Sequence, residues 1–212
     1  MVFENFEFRL LQEKDFDMVW KLILDEFVKR EPGSVTLNLS ENEARIFLGK
    51  MAKDGILHGT SIGAFDKQTK ALIGICISLL GTKPQSSTDS SKEPRRVQQY
   101  NKMLSRLTPP EEVMGTRNYM QLPILCVKES HSNASIGAEL FKRSEKIARN
   151  LGCEKIFTFA SSAFTLKICN KFGYDIKKEI FYEDYIDPIS GNKIFENIPY
   201  PHVKCALVIK TL

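Results

Sequence analysis

What the chain lacks narrows it before any motif is read. Its five cysteines, Cys76, Cys126, Cys153, Cys169 and Cys205, are widely spaced, odd in number and nowhere paired as CxxC. His58, His131 and His202 show no HExxH spacing, so neither a disulfide framework nor a metal site is expected. An excess of one charge is missing too: 30 Lys and Arg against 26 acids leave a net +4, with no cationic run. That excludes a nucleic-acid stripe, and Arg95-Arg96 is expected to be an isolated pair in a solvated loop. No apolar run has membrane-spanning length, and Met1-Val-Phe-Glu-Asn-Phe6 is not written as a secretory leader. No nucleic acid, no membrane and a reduced, cytoplasmic setting are the expectations, with a monomer or homodimer left open.

What is present is ordinary in amount and informative in order. An apolar fraction of 42% in 212 residues suffices for one domain with a full core. Phe6, Phe8 and Leu10 alternate as a first strand. A helix follows from about Asp15 to Lys29, with Phe16, Val19, Trp20, Ile23 and Phe27 inward and Glu31-Pro32-Gly33 as its stop. Ser40 and Glu43 form a capping box for a helix carrying Ala44, Phe47, Leu48 and Met51, ended by Gly55. Thr60 to Phe65 and Ala71 to Leu80 read as strands of a hairpin turning at Asp66–Lys70. Residues 81–118 form a polar insertion whose Val97–Leu107 stretch has a helical pattern.

Leu122-Pro-Ile-Leu-Cys-Val127 is a strand-like run, and Glu129–Ser135 has the composition of a loop. From Ile136 an amphipathic helix places Ile136, Leu140, Ile147 and Leu151 on one stripe and ends at Gly152. Lys155–Ala160 is a strand. Ser161-Ser162 can cap a helix carrying Phe164, Leu166, Ile168, Cys169 and Phe172, closed by Gly173. Ile176–Ile186 and Val203–Leu212 are the last strands, with a turn at Asp187–Gly191 between them. The order predicts an α/β (α+β) fold, one mixed central sheet of about seven strands flanked by helices.

Phe27-Val-Lys-Arg-Glu-Pro32, Ile136-Gly-Ala-Glu-Leu140 and Ser161-Ser-Ala-Phe-Thr165, supported by Lys171-Phe-Gly-Tyr174, Tyr182-Glu-Asp-Tyr185 and Pro201-His202, occur in a telling order. In them the chain resembles, over nearly its whole length, the GNAT superfamily of N-acetyltransferases, in its aralkylamine (dopamine/serotonin-type) branch. The superfamily's acetyl-CoA loop has the form Gln/Arg-x-x-Gly-x-Gly/Ala. Those places hold Ser132, Ser135 and Gly137 here, and only the last matches. Serine at a positive φ would cost of order 1 kcal/mol.

The resemblance implies acetyl-CoA as co-substrate and a small primary amine as acceptor. It implies cofactor contacts from Ser132, Asn133, Ala134, Ser135, Ile136, Gly137 and Ala138, whose helix-start N–H groups suit a diphosphate. Backbone at Leu125, Cys126 and Val127 would pair with the pantetheine arm as an added strand does. Lys167 is assigned to the adenosine phosphates, though with Lys171 it can equally form a solvated helix face. An aliphatic amine with a pKa near ~10 arrives protonated, so a base is needed. Glu31 is implied as that base, acting through an ordered water, with Ser161, Ser162 and Thr165 as hydroxyls near the reaction. Each has a bland alternative: Glu31 as a solvated helix end, the serines as a helix cap. Tyr174, Tyr182 and His202 are expected to pack rather than react. The insertion is expected to fold over the acceptor site. A polyamine or protein lysine acetyltransferase, a longer acyl donor and a GNAT-like binding module without catalysis remain the rival readings.

Overall fold

The structure is a computed structural model that describes residues 3–85, 93–109, 111–132 and 134–212. Seven strands form one sheet in the order β1-β2-β3-β4-β5-β7-β6. They are β1 (Phe6–Leu10), β2 (Ile62–Asp66), β3 (Leu72–Leu80), β4 (Tyr119–Val127), β5 (Lys155–Ala160), β6 (Asp175–Phe181) and β7 (Lys204–Thr211). All neighbours are antiparallel except β4 and β5. The expected mixed seven-stranded sheet is therefore present.

Two layers of helix cover it. On one face lie α1 (Phe16–Leu22), α3 (Glu41–Ala44), α4 (Lys50–Leu57) and α5 (Arg95–Leu107), around Trp20, Phe47, Met103 and Phe157. On the other lie α7 (Ile136–Asn150) and α8 (Ala163–Lys171), around Phe141, Cys169 and Tyr174. Central β3 is buried along all nine residues because both faces are covered, which is why Leu-Ile-Gly-Ile-Cys-Ile-Ser-Leu-Leu lacks alternation. The five cysteines are all buried and free. Among the described residues no helix is long and apolar enough to cross a membrane.

The departures from expectation have local causes. The first helix continues past Leu22 as a π turn, Ile23–Phe27, and Pro32 does not merely stop it. Proline at the first helical position, with Glu31 as N-cap, starts a separate short helix α2 (Pro32–Thr36). The Ser40–Glu43 capping box is present, but Gly55 does not end that helix. It lies inside α4, where a Cβ would stand 2.5 Å from Ile77 Cγ2, so it permits close helix-on-sheet packing. Leu151 is exposed, and the buried face of α7 runs instead through Ile136, Leu140, Phe141, Ser144 and Ala148. Phe164 is 65% exposed rather than inward. The strand expected to reach Ile186 ends at Phe181, before a 3₁₀ turn at Tyr182–Asp184. Arg95 and Arg96 open α5 rather than a loop, and exposed Arg96 reaches the Asn38 carbonyl and Glu43.

The insertion is built into the core. Val97, Tyr100, Met103 and Leu107 of α5 are buried, and α6 (Glu111–Met114) follows. The stretch 86–92 and Pro110 lie outside the described residues, and with them part of the segment expected to cover the acceptor site.

Candidate active site

The parallel pair β4 and β5 is joined only at its start, Tyr119–Gln121 against Lys155–Phe157. Beyond that the strands part. One residue of β3, Ser78, faces two of β4, Leu122 and Pro123, which is a bulge at the one position that cannot donate to the ladder. The bulge turns β4 over. Met120 and Leu122 face the α7 side, whereas Ile124 and Cys126 face the opposite core. Thr158 Oγ1 donates to the Leu122 carbonyl at 2.6 Å and closes the vertex of the gap.

Which backbone groups face that gap follows from register. Lys128 N–H donates to the Ile73 carbonyl at 2.8 Å, while Gly74 faces Val127. In antiparallel alternation Cys126 and Ile124 then bond β3, leaving Leu125 and Val127 directed to the gap. Of the three residues expected to contact pantetheine, Leu125 and Val127 direct their backbone to the gap. Cys126 does not: its backbone belongs to β3, and its buried thiol is pushed up to about 12 by desolvation. The Val127 carbonyl accepts from Arg30 at 3.1 Å.

After β4 the chain makes a 3₁₀ turn, Glu129–His131, and enters α7 through Ser135. Ser135 has φ +57°, left-handed, and its side chain makes no cap hydrogen bond. The strained serine foreseen for this loop is therefore real. The Glu139 N–H already donates to the Ser135 carbonyl. The N–H groups of Ile136, Gly137 and Ala138 precede it, and geometry gives such groups no partner within the helix. A Cβ at Gly137 would meet only ordinary contacts, 3.6 Å from Ile168 Cδ1 and Val127 Cγ2, so the fold itself does not require glycine there. Ser132 Oγ turns back to the Glu129 carbonyl. Asn133 lies outside the described residues. Ile168 places α8 beside the start of α7, and Lys167, next to it, is exposed.

Glu31 is 6% exposed, which removes the solvated-end alternative. Its carboxylate caps α2, accepting from Gly33 N–H at 3.2 Å and Ser34 N–H at 2.6 Å, and from Ser34 Oγ at 2.7 Å. The fourth donor is unforeseen: Tyr100 Oη, from the insertion, at 3.0 Å. Its ring lies on the first turn of α2, where a Cβ at Gly33 would stand 2.0 Å from Tyr100 Cε2. The Ser161 side chain lies beside the same phenol. Burial first, and the Glu31 charge second, push the Tyr100 phenol well above its ordinary value. Tyr182 is raised too, by burial and then by Cys205 and Glu31; its hydroxyl donates to the Ser161 carbonyl at 2.6 Å. Tyr100 was missed because its segment reads as a polar insertion. The signal was an aromatic with a polar tip at the helical spacing Val97, Tyr100, Met103, Leu107.

The other two hydroxyls are occupied elsewhere. Ser162 Oγ caps α8, accepting from Thr165 N–H at 3.1 Å and lying 3.0 Å from Thr165 Oγ1. His202 Nδ1 accepts from Ala163 N–H at 3.1 Å, which requires the neutral imidazole, and burial lowers its pKa against the pull of Glu31. Tyr174 is core, its hydroxyl buried without a partner.

A cavity of about 940 Å³ opens on the Glu31 side of the sheet. Tyr119, Phe157 and Phe159 floor it, α5 with Thr108, Pro109 and Met114–Arg117 walls it, and Arg117 is its one charged lining residue among those described. A smaller cavity of about 150 Å³ shares Met51, Gln85 and Asn101 with it and includes Asp54 and Glu93.

A seven-stranded sheet splayed between β4 and β5, with helices on both faces, is the GNAT fold. No family model and no curated protein matches the chain. Among solved structures, arylalkylamine N-acetyltransferase 2 from Aedes aegypti aligns over 98% of this chain and 99% of its own, with TM-score 0.85 and 21% identity. The C-terminal condensation domain of Ebony, in complex with β-alanyl-dopamine, aligns over 98% and 99%, with TM-score 0.83 and 14% identity. A polyamine N-acetyltransferase of Drosophila melanogaster aligns over 98% and 100%, with TM-score 0.77 and 15% identity. At such identities the likeness is one of fold.

Proposed function

We propose that this chain is an acetyl-CoA-dependent N-acetyltransferase for small primary amines, arylalkylamines foremost. The carrying observation is the gap between β4 and β5. It has helix-start N–H groups at one border and, at the other, a buried carboxylate linked to the end of β5. The residues fit the cofactor. The Ile136, Gly137 and Ala138 N–H groups suit a diphosphate, and Gly137 leaves it room where the fold asks for no glycine. Leu125 and Val127 would hold the pantetheine arm, with exposed Lys167 toward the adenosine phosphates. Acetyl-CoA supplies the activated acetyl thioester. The chain supplies orientation, and Glu31 the capacity to accept the amine's proton.

The aromatic floor of the large cavity, with no carboxylate on its described walls, favours an acceptor with one cationic group and an aryl body. A polyamine or a protein lysine is the second reading, supported by Asp54 and Glu93 in the adjoining small cavity.

The test begins with calorimetric titration by acetyl-CoA. Saturable micromolar binding, lost in Gly137→Asp, is expected. Thiol release with phenethylamine, tryptamine, agmatine and spermidine then ranks the acceptors, aryl amines first. Absence of binding up to millimolar acetyl-CoA would overturn the enzyme reading in favour of a binding module. Spermidine as the best acceptor would overturn the aryl preference.

A further inference from the structure

We propose that Tyr100, brought in by the insertion, is the link through which Glu31 takes the acceptor amine's proton; this rests on the acetyltransferase reading above. A carboxylate has about four lone-pair positions. At Glu31 four donors occupy them: Gly33 N–H and Tyr100 Oη on Oε1, Ser34 N–H and Oγ on Oε2. No position is left for an amine, or for a water beside it. Three of the donors are local to the first turn of α2. Only the phenol comes from a distant segment, and it has a second polar neighbour, Ser161. Glu31 and Tyr100 are each 6% exposed, whereas Ser161 is half-buried at the end of β5. A line of polar groups therefore runs inward from the gap, from Ser161 to Tyr100 beside it and on through the Tyr100–Glu31 hydrogen bond. The ring is seated for this by Gly33 and held edge-on by Phe47, at 5.5 Å between centroids.

The transfer balances as three coupled steps. The ammonium N–H bond breaks as an O–H bond forms on Ser161 Oγ. The former Ser161 proton passes to Tyr100 Oη, and the former phenol proton to Glu31 Oε1. Both hydroxyls end as they began, the amine is neutral with its lone pair free, and the carboxylate has become a carboxylic acid. Burial of the phenol disfavours a free phenolate, so the protons move together rather than through one.

Tyr100→Phe keeps the ring and removes Oη. For each panel amine that turns over, kcat/KM at pH 7 should fall about 100-fold or more. It should then rise tenfold per pH unit toward the amine's own pKa near ~10, because only amine already neutral in solution reacts. Calorimetric acetyl-CoA affinity should stay unchanged. Ser161→Ala should move the same pH limb, and the double variant should be no slower than the slower single variant. A wild-type pH profile in Tyr100→Phe, or acetyl-CoA affinity lost in step with rate, would reduce Tyr100 to a structural prop and overturn the relay. If Tyr100→Phe does not fold, an unmoved profile in Ser161→Ala overturns it. A wild-type chain that binds acetyl-CoA but acetylates none of the four amines overturns the acetyltransferase reading, and the relay with it.

Discussion

The Glu31 corner and the loop from Lys128 to Gly137 border the same strand ends in opposite states of satisfaction. At Glu31 every lone pair has a donor, and the charge is out of solvent. In the loop a serine is held left-handed without capping, ahead of helix-start N–H groups. The first is organised by the protein for itself, since a buried charge without partners is prohibitively costly. The second leaves polar groups and strain in place, as sites that await an anionic ligand do. The contrast teaches where to look for a ligand: at the unsatisfied region, with the satisfied one as the fixed tool beside it.

The largest break in that comparison is Glu31→Ala. It removes an N-cap worth about 1 kcal/mol and orphans the buried Tyr100 hydroxyl for about 2 kcal/mol more. The denaturant midpoint should fall accordingly, by about 3 kcal/mol in all. Glu31→Gln keeps one capping oxygen but turns its amide NH2 toward the other pair of donors, so it should recover only part of that stability while losing about 100-fold or more in turnover. Equal stability loss in both variants would mean the charge, not the cap, holds the corner.

Gly33→Ala comes next. Its Cβ collides with the Tyr100 ring, so chemical denaturation should show about 1–3 kcal/mol lost to overpacking. Turnover should fall as in Tyr100→Phe. Ser135→Gly probes the other region with the opposite sign: relief of the left-handed strain, about 1 kcal/mol, should raise the melting temperature by about 2–4 °C. An unchanged melting temperature would show the loop to be unstrained. The smallest effect is that of pH on His202. Its pKa is lowered in the folded chain, so as pH falls through about 6.5 the unfolded state takes the proton first. Stability should then decline from pH 7 toward 5 as Ala163 N–H loses its acceptor. His202→Gln should flatten the decline. Glu31→Gln should deepen it, because the Glu31 charge favours the imidazolium.

Some of this was legible along the chain because its cause is local. The Ser40–Glu43 capping box, the Asp66 turn, the left-handed Gly152 and Gly173 and the Ser162 cap depend on residues within four positions of one another. The turn into α7 was legible for the same reason, down to its strained serine. Pro32 was misread because one residue can end a helix or begin one, and only the Glu31 cap decides. Phe164 and Leu151 were placed inward by periodicity, which gives a helix's apolar stripe but not the neighbour it meets.

The sequence by itself determined the order of elements and hence the mixed sheet, the helix-start loop and the candidacy of Glu31. Only the tertiary structure decided that β4 and β5 part, that Cys126 turns to β3 while Leu125 and Val127 face the gap, and that Tyr100 meets Glu31 across 69 positions. Capping, turns and periodicity are fixed within a few residues by backbone geometry. The partners of a buried carboxylate are fixed by which distant segments the core brings beside it.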